Sequence, residues 1–282
     1  MHQVVATKNP SAVEVEVQSG YLSAFPGGDP LFIPQAFGWV VDCFRGHYAD
    51  YQAIDARYHD LEHTLQGTLC MGRLLKTLSR AGGDIRITQR AFELGILAIL
   101  LHDTGYLKKR GDNEGTGAKY TATHVDRSIE FAHQLLAEKG FSREEIRSVQ
   151  NMIHCTGVDA DLNSIPFQAD AERITGHALG TADLLGQMAA DDYVEKLPVL
   201  YAEFAEATEF THDKKHFIAS FTSAEDLMRK TPGFWKDYVR PKLDREFEGV
   251  WRYLNDPFPD GPNAYVQRVE ANMQRLSARL AM

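Results

Sequence analysis

From about residue 31 onward, apolar side chains recur at three- and four-residue steps, the spacing that lays one stripe along an α-helix. Over 58–80, Leu61, Leu65, Leu69, Leu75 and Leu78 keep that spacing with one gap, and Gly82-Gly83 supply a stop. Thr88 is placed to cap the next helix, predicted to run to about Leu107. Its stretch from Leu94 to Leu101 is apolar all round, as a buried central helix would be. So short a run also suits a buried strand; the cap and the overall length favour the helix. The polar, glycine-rich segment 108–121 predicts a loop. Further helices are predicted over about 124–139, closed by Gly140, and over 143–154, where Ser142 and Glu145 form a capping box. Asp170 can cap another over 171–190, with Ile174, Ala178, Ala182, Leu185 and Ala189 on one face. The last three span about 193–209, 233–254 and 263–280, with Pro262 near the first position of the final one.

The beginning of the chain reads differently. Val13, Val15 and Val17 alternate with Glu14, Glu16 and Gln18, a period of two that allows a short strand, and 26–30 reads as a loop. No internal repeat or β–α alternation follows. The pattern predicts an all-α protein: an N-terminal arm over 1–30, one helical domain over 31–210, and a helical extension over 211–282 packed on that same domain.

Composition narrows the function classes. Of 282 residues, 44% are hydrophobic and 24% charged, an ordinary folded composition. The formal charge of −9 argues against a nucleic-acid polymer as partner, which needs a basic stripe. It leaves a small phosphorylated substrate open, because local charge can oppose net charge. No run approaches the roughly 18 apolar residues of a membrane span, so no membrane partner is expected. The first residues lack the basic start and apolar middle of a signal peptide. Cys43, Cys70 and Cys155 form neither a disulfide framework nor a zinc ribbon. A cytoplasmic location is the default expectation.

Eleven histidines stand out. Three fall in His-Asp dipeptides, at His59-Asp60, His102-Asp103 and His212-Asp213, a pairing too common to carry weight without context. His102-Asp103 ends the most apolar helix, where polar side chains need a partner such as a cation; the alternative is a solvent-facing helix end. His59 and His63 are four residues apart on one predicted helix, the geometry of a metal-site pair or of two surface histidines. Asp183 sits among apolar neighbours and calls for a partner. His124 starts one helix and His154 ends another, positions that suit capping as well as ligation.

The ordered set His63, His102-Asp103, His124, His154 and Asp183 resembles the HD-domain superfamily of metal-dependent phosphohydrolases. The stretch Tyr58-His59-Asp60-Leu61-Glu62-His63 is also similar to the Tyr-His-Asn-x-x-His segment of the cyclic-nucleotide phosphodiesterases, which share that all-α core. The resemblance covers roughly residues 50–190. It implies an HD-like helical bundle around a metal site. His63, His102, Asp103 and Asp183 would hold a first divalent metal, and Asp103 would bridge to a second held by His124 and His154. Fe, Mn, Zn, Ni or Co suits such donors, with Mg as a further candidate. Metals about 3.5–4 Å apart can share a water and lower its pKa, and the resulting hydroxide would attack phosphorus. His59 would protonate the leaving oxygen. The implied catalytic residues are His59 and Asp103, and the implied substrate is a phosphate ester of a nucleotide or related small molecule.

The chain also departs from that pattern. Many HD enzymes carry Lys three residues after the bridging Asp, where this chain has Tyr106; Lys108 is the stand-in expected to bind substrate, and Lys109 and Arg110 read as solvated. Asp60 replaces an Asn, and Cys155 follows His154 in place of a second His, which argues against a third metal. The Gly-Tyr-Pro signature of cyclic-di-GMP hydrolases is absent. The alternative function is a mixed-valent di-iron oxygenase, since some HD-fold oxygenases use the same six ligands. A third is a ligand sensor without catalysis, disfavoured by the intact ligand set. His212 and His216 read as an exposed segment, with a substrate-side basic contact as the other option. His133 and His177 read as packing or surface residues. The aromatics Phe234, Trp235, Tyr238, Phe247, Trp251 and Tyr253 read as core or a homodimer contact before a pocket wall.

Overall fold

The computed structural model of the protein describes residues 5–82, 86–211 and 217–281. Among them the chain is all-helical, without a β-strand. Ten α-helices follow in order: α1 Pro10–Ala24, α2 Phe32–Phe44, α3 Leu61–Arg80, α4 Gln89–Leu101, α5 His124–Glu138, α6 Arg143–His154, α7 Asp170–Met188, α8 Tyr193–Phe210, α9 Ala224–Phe234 and α10 Ala264–Leu280. Among the described residues, no helix is long and apolar enough to cross a membrane.

Helix α4 is the axis of the bundle. Every residue from Phe92 to Leu101 is buried, and α2, α3, α5, α6 and α7 all pack around it. Thr88 caps it as its position suggests, accepting from the Ala91 amide at 3.1 Å. It ends at Leu101, earlier than expected, and the chain turns through a 3₁₀ turn at Thr104–Tyr106. The Thr104 hydroxyl donates to Leu101 O at 2.7 Å, satisfying a carbonyl left open at the helix end. The capping box of α6 is present with both bonds: Ser142 N donates to Glu145, and Glu145 N donates to the Ser142 hydroxyl. Asp170 is the first residue of α7 and does not cap it. The stop expected at Gly82-Gly83 lies partly outside the described residues, at Gly83.

The strand allowed at Val13–Val17 is replaced by α1. Asn9 caps that helix and Pro10 occupies its first turn. Val13, Val17, Gly20 and Tyr21 are buried at helical spacing, while Val15, which a strand would place with them, stays 66% exposed. Tyr21 donates to the buried Glu93 of α4 at 2.5 Å, so the segment read as an arm is packed into the core.

The C-terminal region joins the same core, which runs from Val13 to Leu276. Asn272 on α10 donates to Met188 O at 2.9 Å and Ala190 O at 2.8 Å, closing the end of α7. The helix expected over 233–254 is broken. After α9 come two π turns, Trp235–Val239 and Lys242–Glu246, then a 3₁₀ turn at Val250–Leu254. Pro232 and Pro241 each remove an amide donor there, and Gly249 takes a left-handed φ of 70°. Phe247 and Trp235 are buried in the core.

Candidate metal centre

Three segments converge below the end of α4. His102 and Asp103 emerge where α4 stops, His63 lies in the first turn of α3, and Asp183 lies in the second half of α7. Helices α3 and α7 approach closely enough to join these groups because Gly67 faces Gly186: a Cβ on Gly186 would sit 2.8 Å from Gly67 Cα. His63 is one turn before Gly67, and Asp183 is almost one turn before Gly186. On the other side, a Cβ on Gly105 would collide with His124 O, so glycine there lets α5 reach the turn after Asp103. Ser128 on α5 accepts the Gly105 amide at 2.8 Å.

The resulting cluster is tight. His63 Nε2 lies 3.1 Å from Asp103 Oδ2 and 3.4 Å from Asp183 Oδ1. His102 Nε2 lies 3.3 Å from Asp103 Oδ2 and 3.5 Å from Asp183 Oδ1. His63, His102 and Asp103 are all buried. His102 Nδ1 is held by Ile99 O at 2.7 Å and His124 Nδ1 by Thr121 O at 2.7 Å, which turns each Nε2 toward the carboxylates. His124 Nε2 lies 3.9 Å from Asp103 Oδ1, at the edge of the set. His154 ends α6 and lines the same cavity.

The electrostatics are those of buried imidazoles facing buried carboxylates. Burial opposes ionisation of Asp103, but His102 and His63 hold it well below the usual carboxylate range. Asp183 is lowered in the same way by His102 and His63. Burial pushes His63 down, yet Asp103 and Asp183 raise it to about 10. His124 and His154 are lowered by burial. Even so, His102 Nε2 and Asp103 Oδ2 are buried without a hydrogen-bond partner of proper geometry. Two orphaned, ligand-type atoms pointing into one space fit a cation, which would accept both lone pairs.

His59 is not on the helix that carries His63, contrary to the sequence reading. Asp60 is the N-cap of α3, with extended backbone and its carboxylate accepting from His63 N at 2.9 Å, so the helix starts at Leu61. The rings of His59 and His63 still come within 5.3 Å. His59 Nδ1 pairs with Glu203 Oε2 at 2.6 Å, which leaves Nε2 for the cavity that His59 lines. Glu203, on α8, also accepts the Arg57 and Tyr58 amides at 2.7 Å each. Burial works against its charge, but His59 and those amides hold it below the usual range. Tyr106 stacks on His59 at 4.4 Å and on His124 at 4.8 Å, filling the place where the resemblance expects a lysine.

Lys108 does not stand in for that lysine. Its ammonium is buried, 2.8 Å from Asp55 and donating to Gly115 O at 2.6 Å, and it is not among the residues that line the cavity. It braces the loop that carries it. His212 and His216 lie outside the described residues. His177 is buried against Phe167 and Phe247, and His133 is exposed.

Glu203 and Gln187 escape the sequence reading, and Tyr106 enters it only as a departure from the expected lysine. Gln187 donates to Asp183 Oδ1 at 3.2 Å and accepts from the Tyr58 hydroxyl at 2.8 Å. Glu203 left a signal of the kind Asp183 gave: a carboxylate beside an apolar stripe, here Leu197, Phe204 and Ala207. Gln187 left none.

The cluster opens into a cavity of about 450 Å³, walled by α7, α8, α9 and the segment around Ile218 and Phe221. Phe234, from the aromatic-rich C-terminal region, lines it, so part of that region is pocket wall. No curated protein matches the chain significantly. Residues 16–255, most of the chain, match the model of the family described as Npun_R2479-like, and the chain belongs to that family.

Proposed function

We propose that this protein is a metal-dependent phosphohydrolase that cleaves a phosphate ester of a small molecule. The observation that carries the reading is the pair of orphaned buried atoms, His102 Nε2 and Asp103 Oδ2, within a cluster completed by His63 and Asp183. The order of these residues, which resembles the HD-domain set, supports it.

His63, His102, Asp103 and Asp183 would hold one divalent ion, with Fe, Mn, Zn, Ni or Co favoured by the donors and Mg a further candidate. His124 and His154, with Asp103 between the two sets, are the side chains available to a second. A divalent metal there supplies Lewis acidity toward a phosphoryl oxygen and an acidified water. The protein supplies the rest. Glu203 holds His59 through Nδ1 and so orients the ring, which leaves Nε2 placed to give a proton to the alcohol oxygen as the phosphorus–oxygen bond breaks. Tyr106 stacks on both the His59 and the His124 ring and fills the space beside them.

A second reading, a mixed-valent di-iron oxygenase, is favoured by the wall of the cavity. Lys230 is the one lysine or arginine among its described lining residues, and its ammonium is engaged by Asp226 at 2.8 Å and Ser220 O at 2.9 Å. Metal analysis of the purified protein with a phosphate-release assay separates the two. The hydrolase reading expects release that depends on added divalent metal and is lost, with the bound metal, in Asp103→Asn. Iron with a mixed-valent spectroscopic signal and no phosphate release from any ester would overturn it.

A further inference from the structure

The cavity has two chemically distinct halves. Its inner end is the histidine and carboxylate cluster. Its outer wall is hydrocarbon and aromatic: Leu184 on α7, Leu197, Leu200 and Phe204 on α8, Phe221 beyond α8, and Phe234 on α9. Among the described residues, the charged groups that line the cavity beyond the cluster do not favour a polyanion. Asp126 and Asp159 line it and are exposed. Lys230, the one lysine or arginine among the described lining residues, is exposed and its charge is matched by Asp226. The nearby cations Lys108 and Lys119 are spent on Asp55 and Asp112, and Arg127 on the carbonyls of Gly105 and Leu107.

A nucleotide would need partners for a ribose, a base edge and further phosphates. The described lining offers Thr156, Gln187 and Thr231 for the first two. Its one lysine or arginine, Lys230, is matched by Asp226, so further phosphates are left without a cation there. An apolar body gains from every methylene it removes from water. A volume of about 450 Å³ lies in the range of small-molecule sites.

We propose that the substrate is an amphiphile: one compact phosphate monoester at the metal end, joined to an uncharged alkyl or aryl alcohol that fills the outer half. This rests on the phosphohydrolase reading for the identity of the headgroup, but the apolar body follows from the wall alone. Hydrolysis transfers the phosphoryl group to water and releases the apolar alcohol, whose oxygen takes the proton from His59. Asp126 and Asp159, which line the same cavity, would repel a second phosphate.

Binding of n-alkyl phosphonates from ethyl to hexyl, measured by calorimetry on the Mn-loaded protein, tests the proposal without turnover. Affinity is expected to rise roughly fourfold per methylene, the equivalent of about 0.8 kcal/mol, and adenosine monophosphate is expected not to displace the hexyl compound. Leu200→Ser, in a half-buried wall position, is expected to flatten the rise while leaving inorganic phosphate binding unchanged. A parallel series of 1-alkanols on the metal-free protein separates the two readings. A rise with chain length there, with no gain for phosphonates from metal, supports the apolar body and sinks the phosphate headgroup. Affinity independent of chain length in both series, or displacement of the hexyl compound by adenosine monophosphate, overturns the inference.

Discussion

Gly67 and Gly186 meet across the α3–α7 contact with no room for a methyl group on Gly186, and this contact sets the separation of His63 and Asp183 one turn away. Two glycines far from the chemistry in role, though near it in space, therefore hold two proposed metal ligands at 3.4 Å. Gly186→Ala is expected to destabilise the protein by about 1–3 kcal/mol through overpacking and to weaken metal retention. Gly38→Ala is the control. Gly38 lies in α2 with open space around it, so alanine there is expected to stabilise by about 0.5–1 kcal/mol. Urea unfolding with metal analysis of both variants reads the contrast, and equal effects at the two positions would show that the contact is not what matters.

Variants of the His59–Glu203 pair would separate the proposed proton transfer from the proposed metal binding. His59→Ala is expected to lower turnover about 10²–10⁴-fold with metal content intact. Glu203→Gln should act in the same direction, and the double variant should fall no further than the worse single one, because the two residues form one unit. If metal is lost from His59→Ala, His59 is a ligand and its assigned role is wrong.

Lys108 is expected to matter for stability and not for substrate. Lys108→Met leaves Asp55 and Gly115 O without their buried partner, a loss of about 1–3 kcal/mol. Michaelis constants for phosphate esters should stay as in the unaltered protein. A large rise in them with unchanged stability would return Lys108 to the site.

His177 is expected to give the protein a pH dependence separate from the proposed metal centre. Burial first, and Arg173 on the same helix next, push it down to about 4, with Glu248 3.6 Å away from the facing turn. The unfolded chain binds a proton below about 6.5, whereas the folded one resists until about 4. Stability from this group is therefore present above 6.5 and falls as pH drops through the window toward 4, levelling off below it. At pH 5 the loss is about 2 kcal/mol. His177→Gln cannot titrate, so its unfolding free energy should fall less between pH 7 and pH 5 than that of the unaltered protein. Parallel pH profiles for the two proteins would rule the assignment out.

Much of the helical frame was legible in the sequence. Thr88, the Ser142–Glu145 box and the stripe Leu61, Leu65, Leu69, Leu75, Leu78 each locate a helix by local physics: a cap satisfies open amides, and a 3.6-residue period marks a buried face. Where local signals conflicted, packing decided. Three alternating valines suggested a strand, but Gly20 and Tyr21 extend a helical stripe that α3 and α4 bury. Over 233–254, Pro232 and Pro241 remove the hydrogen bonds that would have kept one helix continuous.

The sequence by itself determined an all-α chain and the types of side chain that could hold a cation: His102-Asp103 at the end of an apolar helix, and Asp183 inside another. These follow from the cost of burying a polar group without a partner, which is readable wherever a charge interrupts an apolar run. Only the tertiary structure decided which of them meet. It brought His63, His102, Asp103 and Asp183 into one cluster, set His124 at its edge and turned Lys108 away to Asp55. It also added Glu203 from more than a hundred residues downstream and walled the cavity with α8 and α9. The reason is physical. Distances between side chains on different helices depend on how closely backbones pack, here through Gly67, Gly186 and Gly105, and no local pattern encodes what a glycine will face.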